Sequence, residues 1–154
     1  MESLLLDNID QPSDLKNLDK EQVNKLCAEI RQFLLRNISR TGGHLASNLG
    51  AVELTVALHR VMTTPMDKIV FDVGHQCYAY KLLSGRADRF DTLRKENGIS
   101  GFPKRQESEY DCYDTGHAGT SVSAALGIAK GMQLNGDDHS VVAVIGDGAF
   151  TGGE

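Results

Sequence analysis

The sequence predicts an α/β layered fold with a parallel sheet, and three observations carry that expectation. Short apolar runs of strand length occur at Ile69-Val70-Phe71 and at Val141-Val142-Ala143-Val144-Ile145. Longer segments with apolar residues at helical spacing separate them. Each run ends in a glycine-bearing turn, Gly74-His75 after the first and Gly146-Asp147-Gly148 after the second. A parallel pair needs a crossover, usually a helix, to bring the chain back. In such sheets ligands bind beyond the carboxyl ends of the strands. Both turns are therefore expected on one edge of the molecule.

The elements follow in order. Residues 1–18 read as a leader segment, with Gln11-Pro12-Ser13-Asp14 as a turn. Asp19 and Gln22 have the spacing of a capping box. Val23, Leu26, Cys27, Ile30, Phe33, Leu34 and Ile38 then recur at helical spacing, which predicts a helix over 19–39. Thr41-Gly42-Gly43-His44 breaks it. A second helix is expected from 47 or 48 to 62, with Leu54, Ala57, Leu58 and Val61 inward, closed by Thr64-Pro65. A strand over 68–72 leads to Gly74-His75, followed by a helix over 76–83 and a helix and turn over 88–101. Residues 102–115 hold Pro103 and many charges with little apolar periodicity, and read as a surface loop. The small residues Ala124, Ala125, Gly127, Ala129 and Gly131 suit a helix over 119–134 that packs closely on a sheet. A turn at 135–138 and a buried strand over 139–145 lead to Gly146-Asp147-Gly148, where a helix should open. The chain is expected to end before that helix completes a turn. The domain reading is a leader over 1–18 and, over 19–154, the amino-terminal part of one α/β domain, truncated after Gly-Asp-Gly and carrying part of an active site.

Composition limits the partners. With 154 residues, 40% hydrophobic and 24% charged, the chain fits one soluble globular domain. A formal net charge of −5 gives no reason to expect nucleic acid or an anionic membrane. No apolar run approaches a membrane span. The start, Met1-Glu2-Ser3, has an acid where a secretory signal carries positive charge, so a cytoplasmic location is expected. Cys27, Cys77 and Cys112 form no Cys-x-x-Cys pair and are odd in number, which argues against structural zinc and a disulfide framework. Buried or semi-buried thiols are the expectation.

The chemistry is expected in the turns. Asp147, between two glycines at a strand end, suits Mg²⁺, which takes oxygen ligands together with substrate phosphates. Gly146 and Gly148 let backbone amides approach those phosphates, and a following helix would aim its N-terminus at the same anion. An ordinary capping Asp is the plainer alternative. Gly43-His44, Gly74-His75 and Gly116-His117 repeat one dipeptide at the ends of elements. Imidazole can donate or accept a proton near neutral pH, so three such turns beside one acidic site point to a polar pocket. His59 and His139 read as structural. A His75/Cys77 nucleophile pair is disfavoured, because the two lie too close in sequence and nothing activates the thiol. Lys104, Arg105, Arg86, Arg89 and Arg94 read as solvated charges, one of which could meet a phosphorylated substrate.

Seven segments occur together in order: Thr41–Gly50, Glu53–His59, Phe71–Gln76, Gly101–Arg105, Glu107–Asp111, Gly116–Ser121 and Gly146–Gly148. With this set the chain closely resembles the amino-terminal part of the 1-deoxy-D-xylulose-5-phosphate synthase family. The resemblance covers nearly all residues. It implies a three-layer parallel-sheet thiamine-diphosphate-binding fold, incomplete in this chain. It implies decarboxylative condensation of pyruvate with glyceraldehyde 3-phosphate by a homodimer, with thiamine diphosphate and Mg²⁺ as cofactors and the cofactor as electron sink. It further implies that Asp147 ligates the Mg²⁺ and that Gly148 and Ala149 contact the diphosphate through backbone. His75 and Gly116-His117-Ala118 would line the cofactor. His44 would face the substrates, where it could shuttle a proton or pair with the acceptor's phosphate.

Two departures stand out. Tyr80 replaces a His that many family members carry a few residues after Gly-His-Gln. The metal-binding Asn beyond Gly-Asp-Gly, the carboxylate that activates the cofactor, and the carboxy-terminal domain lie outside this sequence, so the chain alone is expected to be inactive and to need the remaining part of the enzyme. A transketolase-type half-subunit and a non-catalytic binding module are the alternatives.

Overall fold

A computed structural model of the chain describes residues 4–152. Met1–Ser3, which carry the reading of the amino-terminal charge, and the last two residues lie outside the described residues. The chain divides into two compact units. One runs to Val61 and resumes over His75–Gly101, and the other comprises Met62–Gly74 and the chain from Phe102 onward.

The first unit is helical. Helix α1 spans Lys20–Thr41 and opens with the expected capping box, in which Asp19 accepts the Gln22 N–H at 2.9 Å and the Gln22 side chain accepts the Asp19 N–H at 2.9 Å. Leu26, Ile30 and Leu34 on its inner face are fully buried. Residues 6–17 pack onto the unit. Short 3₁₀ turns occupy Leu6–Asn8 and Pro12–Asn17, Leu15 is fully buried, and Glu29 accepts the Leu6 N–H at 2.8 Å.

The expected second helix is two helices, α2 at Leu45–Gly50 and α3 at Val52–Val61. Its buried face also differs. Val52, Thr55, Val56 and His59 point inward, whereas Leu54 is half exposed and Val61 is 83% exposed. Two apolar stripes compete on this segment, and tertiary contacts select the one that includes polar groups. The Thr55 hydroxyl donates to the Ala51 carbonyl at 2.7 Å, and His59 stacks on Tyr80 with centroids 4.9 Å apart. Tyr78, Tyr80 and Phe90 complete the core, with Phe90 meeting Phe33 edge-on at 5.3 Å. Helix α4 is short, Tyr78–Lys81, and continues through a π turn at Leu82–Arg86 and a 3₁₀ segment at Ala87–Thr92. Arg86, read from sequence as a solvated charge, is buried and donates to the Ser84 hydroxyl at 2.7 Å.

The second unit holds the sheet. Strand β1, Lys68–Phe71, pairs in parallel with β2, Val141–Val144, in the register Lys68↔Val141 to Phe71↔Val144. The observed class is therefore α/β with a parallel pair. Helix α5, Ser121–Leu134, provides the crossover and packs on β2. Strand β2 is half-buried along its length rather than buried, because β1 and α5 are its main packing partners among the described residues. After β2, Asp147–Phe150 form one helical turn, α6, where no complete turn was expected, with Ala149 and Phe150 N–H groups donating to the Gly146 carbonyl at 3.1 and 3.0 Å. The 102–115 segment is a packed loop. Asp111 accepts the Lys104 N–H at 2.8 Å and Asp114 accepts the Arg105 N–H at 2.7 Å. No helix among the described residues is long and apolar enough to cross a membrane.

Candidate active site

In the second unit the two strands leave the sheet side by side. The Asp72 N–H donates to the Val144 carbonyl at 2.7 Å, so the chain after β1 and the chain after β2 emerge at one sheet end. Asp72 is 1% exposed and turns its carboxylate onto the start of α5. The Gly119 N–H lies 3.2 and 3.1 Å from its two oxygens, and the Thr120 and Ser121 N–H groups donate at 3.2 Å each. Burial pushes this carboxyl group up, but the hydrogen bonds from Gly119, Ser121 and Thr120 outweigh it and hold it below the ordinary carboxylate value. Asp72 thereby pins the segment directly after Gly116-His117-Ala118 to the end of β1.

Gly116, His117 and Ala118 are themselves exposed. Gly116 and His117 border an open cleft of about 280 Å³ together with Lys104, Thr115 and Thr120. The chain just after α6 comes near Gly119, where an added methyl group would lie 3.7 Å from the Gly152 carbonyl oxygen. Asp147 is exposed, with one carboxylate oxygen accepting the Gly148 N–H at 2.9 Å. Nothing lies within 4 Å of where a Cβ would stand on Gly146 or Gly148. An exposed carboxylate between two open glycines is a donor set that fits a hard divalent cation carrying a diphosphate.

In the first unit His44 and His75 meet. Their ring centroids are 5.3 Å apart at 69°. Asn48, expected at a helix start within the Thr41–Gly50 motif, is fully buried beneath them. Its Nδ2 donates to the His44 carbonyl at 2.6 Å and the His75 carbonyl at 2.7 Å, and its Oδ1 accepts the Tyr78 N–H at 2.7 Å. Tyr78 also accepts the His44 N–H on its hydroxyl at 3.4 Å. Burial pushes the Tyr78 phenol up, and that bond from His44 acts in the opposite direction. Gly43 is required here. Its φ is +139°, and a Cβ would stand 2.8 Å from the Tyr78 hydroxyl. His44 and His75 thus belong to one unit, and Gly116-His117-Ala118 and Gly146–Ala149 to the other.

The remaining candidates are structural. His59 is fully buried, and burial, helped by Arg86, lowers its pKa to about 4. Tyr80 is the ring stacked on it and is 1% exposed. Burial pushes the Cys27 and Cys112 thiols up, away from the reactive thiolate. Cys77 is fully buried, with its thiol toward the Gly101 carbonyl at 3.9 Å. His139 Nδ1 contacts Asp137 Oδ1 at 2.6 Å beside a larger cleft of about 540 Å³, which contains no residue of the three glycine-histidine turns or of Gly146–Ala149. Asp72 and Asn48 escape sequence reading because their partners are distant in the chain, 47 to 49 residues away for Asp72 and up to 30 for Asn48.

These features define an α/β protein whose candidate chemistry lies in glycine-rich turns, with carboxylate and backbone donors at a strand end. The family model described as 1-deoxy-D-xylulose-5-phosphate synthase matches residues 6–154. The chain belongs to that family. It is 60% identical over 149 residues to proteins named 1-deoxy-D-xylulose-5-phosphate synthase from Burkholderia lata, Burkholderia orbicola and Burkholderia pseudomallei, in each case across 97% of this chain and 24% of the relative. The chain thus spans about a quarter of the length of these relatives.

Proposed function

We propose that the full-length protein is a 1-deoxy-D-xylulose-5-phosphate synthase, a transferase that condenses pyruvate with glyceraldehyde 3-phosphate and releases CO₂. The observation that carries this reading is the family match across residues 6–154, which takes in every glycine-histidine turn and the Gly146–Ala149 segment. In this reading the unit containing β1 and β2 belongs to a three-layer diphosphate-binding domain, and the protein is a cytoplasmic homodimer serving isoprenoid and thiamine biosynthesis. This chain alone is inactive, because the remaining part of the enzyme completes the site.

The residue roles follow from chemistry. Asp147 would hold Mg²⁺ through its carboxylate, and the Gly146, Gly148 and Ala149 backbones would receive the diphosphate of thiamine diphosphate. That cofactor, when bound, supplies the electron sink that decarboxylation requires. Gly116, His117 and Ala118 would line it, with Asp72 holding their segment in place. His75 would line the cofactor as well. His44, exposed and beside His75, would face the substrates, where its imidazole can carry a proton or meet the acceptor's phosphate.

The test is a donor assay on the full-length protein. Product formation with CO₂ release from pyruvate and glyceraldehyde 3-phosphate is expected. Turnover of a ketose phosphate donor with no use of pyruvate would replace this reading by a transketolase-type one.

A further inference from the structure

Asn48 joins three backbone positions that the chain keeps far apart. It lies one helical turn beyond His44, while His75 and Tyr78 follow 27 and 30 residues later. A primary amide has two N–H donors and one acceptor oxygen on a short stem, and Asn48 uses each of them: one N–H for the His44 carbonyl, one for the His75 carbonyl, and the oxygen for the Tyr78 N–H. Aspartate has the reach but lacks the donors. Glutamine has the donors but adds a methylene in a fully buried place. The Tyr78 hydroxyl closes the arrangement from the other side at the His44 N–H, pressed against Gly43.

We propose that Asn48 is the positioning residue that sets the separation and angle of the His44 and His75 rings, so that the two act on the reaction as one pair. This inference rests on the proposed assignment of both histidines to the active site. It says nothing of Asn48 touching substrate. The amide acts through the backbones of the two ring-bearing residues, and a displacement of about 1 Å at such a site costs on the order of 100-fold in rate.

The test uses the full-length protein with histidine rings labelled with ¹³C at Cε1, and His44→Gln and His75→Gln to assign the two signals. Asn48→Ala and Asn48→Asp are expected to move the His44 and His75 resonances, remove the contact between the two rings, and leave His59 and His139 in place. Both are expected to lower kcat/KM about 10- to 100-fold, as loss of a supporting hydrogen bond does. Asn48→Asp is the sharper variant, because it keeps the oxygen for Tyr78 and sets a carboxyl oxygen against the two carbonyls in place of the donors. Asn48→Ser, smaller and with one donor, is read the same way if either fails to fold. Unmoved ring resonances, or moved resonances with wild-type kcat/KM, overturn the proposal. Absence of folded protein in all three variants also overturns it and makes Asn48 a stability residue. If the wild-type protein does not turn over pyruvate and glyceraldehyde 3-phosphate, the proposed reaction falls, and the ring resonances alone decide whether Asn48 sets the pair.

Discussion

Replacing Asp72 by Ala removes one buried carboxylate and leaves the Gly119, Thr120 and Ser121 N–H groups without their acceptor at the start of α5. Loss of a helix cap costs about 0.5–2 kcal/mol, and hydrogen bonds to a charged group contribute about 1.5–3 kcal/mol each. The N···O distances of 3.1–3.2 Å are long for charge-assisted bonds, so the lower end of that range applies and the three are not independent. A net loss of about 2–3 kcal/mol is expected for Asp72→Ala, and about half of that for Asp72→Asn, which keeps an acceptor without the charge. The carboxyl is held below its ordinary value, so its contribution is present above the usual carboxylate range near pH 4. It is lost as the pH falls through the depressed folded-state value. Asp72→Ala should therefore flatten the acid side of the stability profile. Urea unfolding gives the energy, and hydrogen exchange of the peptide over 116–123 gives the location, with faster exchange expected there and not in α1. Unfolding within about 0.5 kcal/mol of wild type, with unchanged exchange in that peptide, would refute the anchoring argument.

Other expectations follow from the same geometry. His59 is held at about 4 against an ordinary 6.5, so the unfolded chain takes up a proton that the folded one refuses. Stability is complete above pH 6.5 and falls as the pH drops toward 4, by about 2 kcal/mol between pH 7.5 and 5. His59→Gln should remove that slope in urea midpoints, and a slope that persists would implicate another group. Gly74→Ala puts a Cβ 2.1 Å from Thr115 Oγ1 and 2.5 Å from Pro103 Cδ at a φ of +87°, and should cost about 3 kcal/mol. Gly136→Ala, at a φ of +73° in open space, should cost only about 1 kcal/mol. Equal costs in thermal unfolding would contradict the close approach at Gly74.

Features written in local spacing were legible in the sequence. The Asp19/Gln22 capping box, the inner face of α1 and both strands of the parallel pair follow from periodicity and cap chemistry. The inner face of α3 was misjudged, because an apolar count favours Leu54 and Val61. Stacking of His59 on Tyr80 and back-bonding of Thr55 instead turn polar residues inward. The packing of Leu6 is not legible in local spacing, because Glu29, which accepts its N–H, lies 23 residues away. The glycine-histidine turns announced themselves by repetition. What holds them did not, since Asn48 and Asp72 satisfy backbone groups brought near only by the fold.

The measurement closest to the central claim is calorimetric titration of the full-length protein with thiamine diphosphate, with and without Mg²⁺, for wild type and Asp147→Ala. Mg²⁺-dependent binding is expected, weakening at least about tenfold, or about 1.4 kcal/mol, on loss of the Asp147 carboxylate. Equal affinity in the two proteins, or binding indifferent to Mg²⁺, would contradict it.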